Sequence, residues 1–147
     1  VKSKNKKNKI VLVGGCFDVL HLGHITFLEK AKKLGDKLIV LLESDENIKK
    51  EKGKNRPINN QENRAKMLMS LKMVDEVIKL PEMKTDEEYV TLVKSIKPSI
   101  IAVTDGDKRM SQKKEQAKIV GSKLVVVTKL IAQQSTSRVI EIIIQDL

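Results

Sequence analysis

The chain has 147 residues, 40% of them apolar and 33% charged, with two phenylalanines and one tyrosine as its aromatics; that length suits one hydrophobic core and not two. A core so poor in aromatics has to be built from Ile, Val, Leu and Met, which suits a β-branched parallel sheet flanked by helices. The net charge of +10 invites a nucleic-acid reading, but five of the first nine residues are lysines (Lys2, Lys4, Lys6, Lys7 and Lys9) with no aromatics between them, so residues 1–8 are expected to be a solvated basic tail and nucleic acid is not expected as the partner.

Residues 10–14 form a short aliphatic run ending in glycine, the pattern of a buried strand that opens into a loop. Phe27, Leu28, Ala31 and Leu34 then recur at three- and four-residue spacing, predicting an amphipathic helix over 25–34 that stops at Gly35. A second strand is expected over 37–42. Residues 43–60 lack periodicity and contain Gly53 and Pro57, so they read as a long functional loop. Helical spacing resumes over 64–73, a third strand is expected over 74–80, and a helix over 87–96 ends ahead of Pro98. Strand four (100–103), a helix (112–120), strand five (123–127) and a last helix (139–144) complete the chain.

This alternation predicts one α/β domain over residues 9–147, a doubly wound, Rossmann-like fold with a five-stranded, mainly parallel sheet. In such a sheet ligands sit beyond the carboxyl ends of the strands, at the switch in strand order. Cys16 has no second cysteine to pair with, no apolar run approaches the roughly 18 residues of a membrane span, and no signal-peptide core follows the basic start. A cytoplasmic location without a membrane is therefore expected.

The loop after strand one reads Gly14-Gly15-Cys16-Phe17-Asp18-Val19-Leu20-His21-Leu22-Gly23-His24. His21 and His24 are three apart, so on the first turn of a helix both imidazoles share one face. Unpaired N–H groups and the positive dipole end make the same place attractive to phosphate. Gly23, without a Cβ, lets a flat base or a ribose come close to the backbone. A His-x-x-His pair also suits a metal, but these are the only histidines and no further ligand set accompanies them, so no zinc site is expected.

The stretch from Gly15 to His24 resembles the signature of the cytidylyltransferase-like nucleotidyltransferases, a His-x-Gly-His element after a Gly-x-Phe-Asp turn. The resemblance runs from about Lys9 to Ile144. It includes the lysine loop at 49–53, Glu62-Asn63-Arg64, Val74-Asp75-Glu76-Val77, Asp105-Gly106-Asp107 and Ser135-Thr136-Ser137-Arg138. It implies transfer of a nucleoside monophosphate from a nucleoside triphosphate to a phosphorylated small molecule, with release of pyrophosphate. His21 and His24 would then hold the triphosphate and stabilise charge at the α-phosphorus. The backbone around Gly15, Cys16 and Phe17 would contact the nucleotide, and Asp18 would hold the turn or a hydroxyl group, or serve simply as a loop carboxylate.

Lys49 and Lys52 would close over phosphates or remain solvated surface residues. Arg64 would fork onto a phosphate or pair with Glu62 or Asp75. Ser135, Thr136 and Ser137 would donate to phosphate oxygens, cap a helix, or both, and Asp107 would contact base, ribose or acceptor. Mg²⁺ is expected to travel with the triphosphate, and a homodimer is implied by the resemblance. Cys16 in the turn and the run Gly53 to Asn59 resemble the heptose 1-phosphate adenylyltransferases, favouring ATP and a sugar 1-phosphate. The alternatives are a CTP-dependent glycerol-3-phosphate cytidylyltransferase, an FMN adenylyltransferase, and a nucleotide- or RNA-binding module that has lost turnover.

Overall fold

The computed structural model describes residues 8–128 together with Ile140, Glu141 and Ile144. Residues 1–7 of the basic tail and Ser135–Ser137 fall outside the described residues, as does most of the expected last helix, of which Ile140, Glu141 and Ile144 are helical. The elements in order are β1 (Ile10–Gly15), α1 (Leu22–Lys32), β2 (Lys37–Leu42), α2 (Asp45–Lys52), α3 (Gln61–Met69), β3 (Glu76–Lys79), α4 (Asp86–Ile96), β4 (Ile100–Thr104), α5 (Met110–Val120) and β5 (Lys123–Thr128).

The strands form one sheet in the order β3-β2-β1-β4-β5, every neighbouring pair parallel. Period-two alternation in the buried strands sends Val11, Val13, Leu38, Val40 and Ala102 to one face, where they pack on Phe27, Leu28 and Ala31 of α1 and on Ala65 and Leu68 of α3. Leu12, Ile39, Leu41, Ile101 and Val103 point the other way, onto Val93 of α4 and Ala117 of α5. This is the expected doubly wound fold, with its switch in strand order between β1 and β4.

That switch is also where the sheet parts. β1 stays in register with β2 from Ile10 through Gly15, but it pairs with β4 only at Val11 and Leu12. Beyond Leu12 the two strands diverge, and the opening between them is the natural place for a ligand. Gly35 sets the start of β2: a Cβ there would lie 2.5 Å from the Lys9 carbonyl oxygen, so the turn after α1 can approach β1 only without a side chain.

The expected long loop over 43–60 is a correction, because its first half is helical. Ser44 caps α2 by accepting from the Asn47 N–H, Asp45 and Glu46 occupy the first turn, and Lys49, Lys50 and Lys52 the last. That arrangement favours a helix through its caps and dipole. Only Asn47 and Ile48 are buried, so no hydrophobic period reveals it. Boundaries shift elsewhere for local reasons. α1 begins earlier than expected because His21 caps it, and α3 because Asn60 does. Leu71 and Met73 pack on the core from the turn beyond α3 and merely continue its spacing.

Candidate active site

The β1–α1 turn is organised by its two histidines. His21 is the N-cap of α1: its Nδ1 accepts from the Gly23 N–H at 3.1 Å, while the His21 N–H donates to His24 Nδ1 at 3.2 Å. Two N–H groups at the helix start are thus satisfied by the imidazoles that sequence spacing places there. A neutral imidazole has one donor and one acceptor nitrogen. With Nδ1 accepting in both rings, the proton sits on Nε2 in both, and two Nε2–H donors stand beside each other with ring centroids 3.9 Å apart.

Burial pulls His24 down to a pKa of about 4, helped by His21 and Lys52 and opposed by Asp18. Burial also lowers His21. Both rings are therefore neutral donors at neutral pH. Phe17 is buried and adopts φ 47°, a left-handed conformation that costs free energy in a bulky residue. Its ring lies 5.5 Å from that of His24 and against Gly15, where an added Cβ would meet Phe17 Cε2 at 3.1 Å.

Asp18 is 1% exposed. It accepts from the Ile58 N–H at 2.7 Å and the Asn59 N–H at 3.0 Å, and pairs with Arg56 at 3.4 Å. Its carboxylate thus holds the segment after α2 against the turn.

Arg64 is fully buried. Its Nε donates to the Asn59 carbonyl at 2.9 Å, its Nη1 to the carbonyls of Cys16 and Glu43 at 2.8 and 2.9 Å, and its Nη2 to Asp45 at 2.7 Å. The fork expected to meet a phosphate is occupied by protein oxygens. Its ion-pair partner is Asp45 in place of Glu62 or Asp75, which pair with Lys79 and Lys32. No sequence pattern links Arg64 to Cys16, Glu43 and Asp45, because the fold alone brings them together.

A cleft of about 220 Å³ opens where β1 and β4 diverge. Its floor is aliphatic, from Leu12, Leu41, Leu80 and Ile101, and its rim includes Gly15, Cys16, Lys52 and Asp107. Four of the expected site residues therefore meet here. His21 and His24 are not among its lining residues; they stand next to it, linked through Phe17 and within the electrostatic reach of Lys52. Lys49 is exposed on α2 and does not face the cleft. Gly23 lies in the first turn of α1 with its N–H taken by His21.

Asp107 is also spoken for: one oxygen accepts from the Arg109 N–H at 2.8 Å and the other from Lys113 at 2.7 Å. Lys113 in turn reaches the Gly14 carbonyl at 3.2 Å, a group at the place where β1 leaves β4. Burial raises the Cys16 thiol above its ordinary pKa, with Lys52 opposing.

Glu43, Asn47, Tyr89, Arg109 and Lys113 join the site without belonging to any motif of the sequence. Tyr89 donates to Glu43 Oε2 at 2.8 Å, and Asn47 Nδ2 donates to Glu43 Oε1 at 2.9 Å and to the Tyr89 oxygen at 3.3 Å. Burial and the Glu43 carboxylate push Tyr89 up to about 12. The sequence carries one signal for this group, since Glu43 is a carboxylate that directly closes the aliphatic run of β2. Among the described residues, no group of three or more His, Cys, Asp or Glu is placed to hold a metal ion, and no helix is long and apolar enough to cross a membrane.

The chain is 44% identical over 139 residues to the bifunctional protein HldE of Helicobacter hepaticus, covering 92% of this chain and 27% of that protein. It is 47% identical over 106 residues to the HldE of Aliarcobacter butzleri, covering 72% and 21%. It thus spans about a quarter of the length of these curated relatives. Among solved structures, a lipopolysaccharide core biosynthesis protein from Thermoplasma volcanium matches with TM-score 0.65 and 27% identity over 84% of this chain and 97% of that one. A pantoate-β-alanine ligase from Francisella tularensis shares the fold, with TM-score 0.65 at 20% identity over 95% of this chain and 67% of that one. The cytidylyltransferase-like family model matches residues 12–142, and the chain belongs to that family.

Proposed function

We propose that the protein is a nucleotidyltransferase that moves the nucleoside monophosphate of a nucleoside triphosphate, ATP in preference to CTP, onto a sugar 1-phosphate. The observation that carries this reading is the reciprocal capping of α1, which leaves two neutral Nε2–H donors side by side next to a cleft at the strand tips. Neutral, fixed donors suit a polyphosphate whose charge shifts during reaction, because they need no reorganisation and no proton to be gained or lost. ATP and a sugar 1-phosphate are favoured by the resemblance of the Cys16 turn and the 53–59 segment to heptose 1-phosphate adenylyltransferases.

The acceptor's phosphate oxygen would attack the α-phosphorus in line. The bond from that phosphorus to the bridging oxygen breaks, and the electron pair leaves with pyrophosphate. No general base is needed, since the acceptor phosphate is anionic at neutral pH. His21 and His24 would donate to oxygens of the transferred and leaving phosphates, and Lys52 on the cleft rim would help neutralise them. Asp18 and Arg64 act one step away, by holding the turn that carries the two histidines. Mg²⁺ is part of the triphosphate substrate in this scheme: the Asp18 carboxylate, which acts on His24, is engaged with protein donors, so its ligands would be phosphate oxygens and water. A cytoplasmic homodimer completes the proposal, its subunit number measurable by light scattering.

The test is pyrophosphate release from ATP and from CTP, each with a panel of sugar 1-phosphates, glycerol 3-phosphate and FMN. Turnover with ATP and a sugar 1-phosphate is expected. Salt-sensitive RNA retention without turnover on any pair would replace the enzyme with a binding module.

A further inference from the structure

A second cavity, of about 420 Å³ and open to solvent, adjoins the first. The two share a wall of three side chains, Glu51, Tyr89 and Arg109. Their chemistry differs. The first has an aliphatic floor, suited to a flat ring, whereas Lys50, Glu51, Lys84 and Asp86 give the second charges of both signs. Such a lining matches a group with many hydroxyls, which both donates and accepts hydrogen bonds.

Arg109 stands in the shared wall and differs from the two other arginines near the site among the described residues. Arg64 spends four N–H groups on protein oxygens, and Arg56 reaches Asp18 through its Nε with a side chain only 12% exposed, so its fork is turned away from solvent. The Arg109 guanidinium lies 5.6 Å from the Tyr89 ring centroid and 3.9 Å from Glu51 Oε2, with 37% of its side chain exposed. It is steered by stacking and by a distant carboxylate while its planar fork stays available. Its seat is fixed, because the Tyr89 hydroxyl is anchored to Glu43 and Asn47 beneath. Lys52 is adjacent in sequence to Glu51 and lines the first cleft, so a path of cations leads from the histidines past Lys52 to Arg109.

We propose that the second cavity holds the polyhydroxylated part of a sugar phosphate acceptor, and that the Arg109 guanidinium grips that acceptor's phosphate at the wall between the cavities. This rests on the nucleotidyltransferase reading and adds to it the place and the cation that select the acceptor. The Glu51 carboxylate would yield its loose hold on Arg109 when a phosphate arrives, since two short, charge-assisted bonds outweigh one contact at 3.9 Å.

Arg109→Gln is a clean test. The residue starts α5 without any side-chain capping bond, so the variant keeps the fold. Binding of glucose 1-phosphate is measured by titration calorimetry in wild type and variant, and KM for ATP and for the acceptor by pyrophosphate release. The expected result is an acceptor affinity lowered about tenfold or more, with KM for ATP within about twofold. Unchanged acceptor binding in Arg109→Gln overturns the proposal, and so does a wild type that fails to bind glucose 1-phosphate, or a rise in KM confined to ATP. Should the wild type bind glucose 1-phosphate, Arg109→Gln lose it, and no pyrophosphate form from any triphosphate, the subsite stands and the transferase reading falls.

Discussion

At the β1–α1 turn almost every polar group has a protein partner: the two Nδ1 atoms, the Asp18 carboxylate and four N–H groups of Arg64 are all engaged. Across the cleft, between the end of α2 and the start of α5, Arg109 is held only by stacking and a 3.9 Å contact, and Lys52 ends its helix on the open rim. The first region is built before any substrate arrives and the second is left to adjust. Groups that must sit within fractions of an ångström of a reacting phosphorus work best when the fold already holds them in place. Groups that accept or reject a substrate work best with donors still unspent.

The comparison is broken most severely at Arg64. Replacing it with Ala removes a charged donor from the carbonyls of Asn59, Cys16 and Glu43 and leaves Asp45 without its cation. A loss of about 3 to 5 kcal/mol in urea-unfolding free energy is expected, from an interrupted buried pair. If Arg64→Ala were as stable as Arg109→Gln, the division between a fixed side and an adjustable side would not hold.

His24→Ala comes next. It removes one of the two Nε2–H donors and should lower turnover on the order of a hundredfold, as loss of a single preorganised donor does. The readout is the pyrophosphate rate at saturating substrates, and an unaltered kcat would take the imidazole out of the reaction.

The third effect is a pH dependence. His24 titrates near 4 in the folded chain against an ordinary 6.5, so below 6.5 the unfolded chain takes up a proton that the native one refuses. Stability is complete above 6.5 and declines as pH falls toward 4. Between pH 7 and pH 5 the His24 contribution is about 2 kcal/mol. His24→Gln should flatten this slope in urea midpoints measured at the two pH values, and an identical slope in the variant contradicts the burial argument.

The smallest expected effect sharpens the adjustable side. Lys49 and Lys52 sit in one helix, but only Lys52 faces the cleft. Lys52→Ala should raise KM for the triphosphate several-fold, the scale of one charge-assisted contact, and Lys49→Ala should leave it within experimental scatter. Equal effects would mean that the last turn of α2 rearranges around the substrate.

The sheet is legible in the sequence because its strands are nearly uninterrupted Ile, Val and Leu, and the histidine element because both its spacing and its capping are local. α2 is not, since one buried isoleucine sets no period. The Glu43–Tyr89 and Lys113–Gly14 contacts bridge 46 and 99 positions, and no local pattern encodes pairings at that range. Arg64 stands out in the sequence but points inward in the fold, because a guanidinium offers the same fork to a phosphate and to a carbonyl. Burial decides which.

One side chain, that of Arg64, touches the turn after β1, the end of β2, the first turn of α2 and the segment before α3. Four pieces of chain that meet nowhere else in sequence are thereby made to rise and fall as a unit. Hydrogen exchange at their amides should therefore slow to a shared rate, with no loop fraying ahead of its neighbours, so the β1–α1 turn would keep its shape until the domain itself gives way.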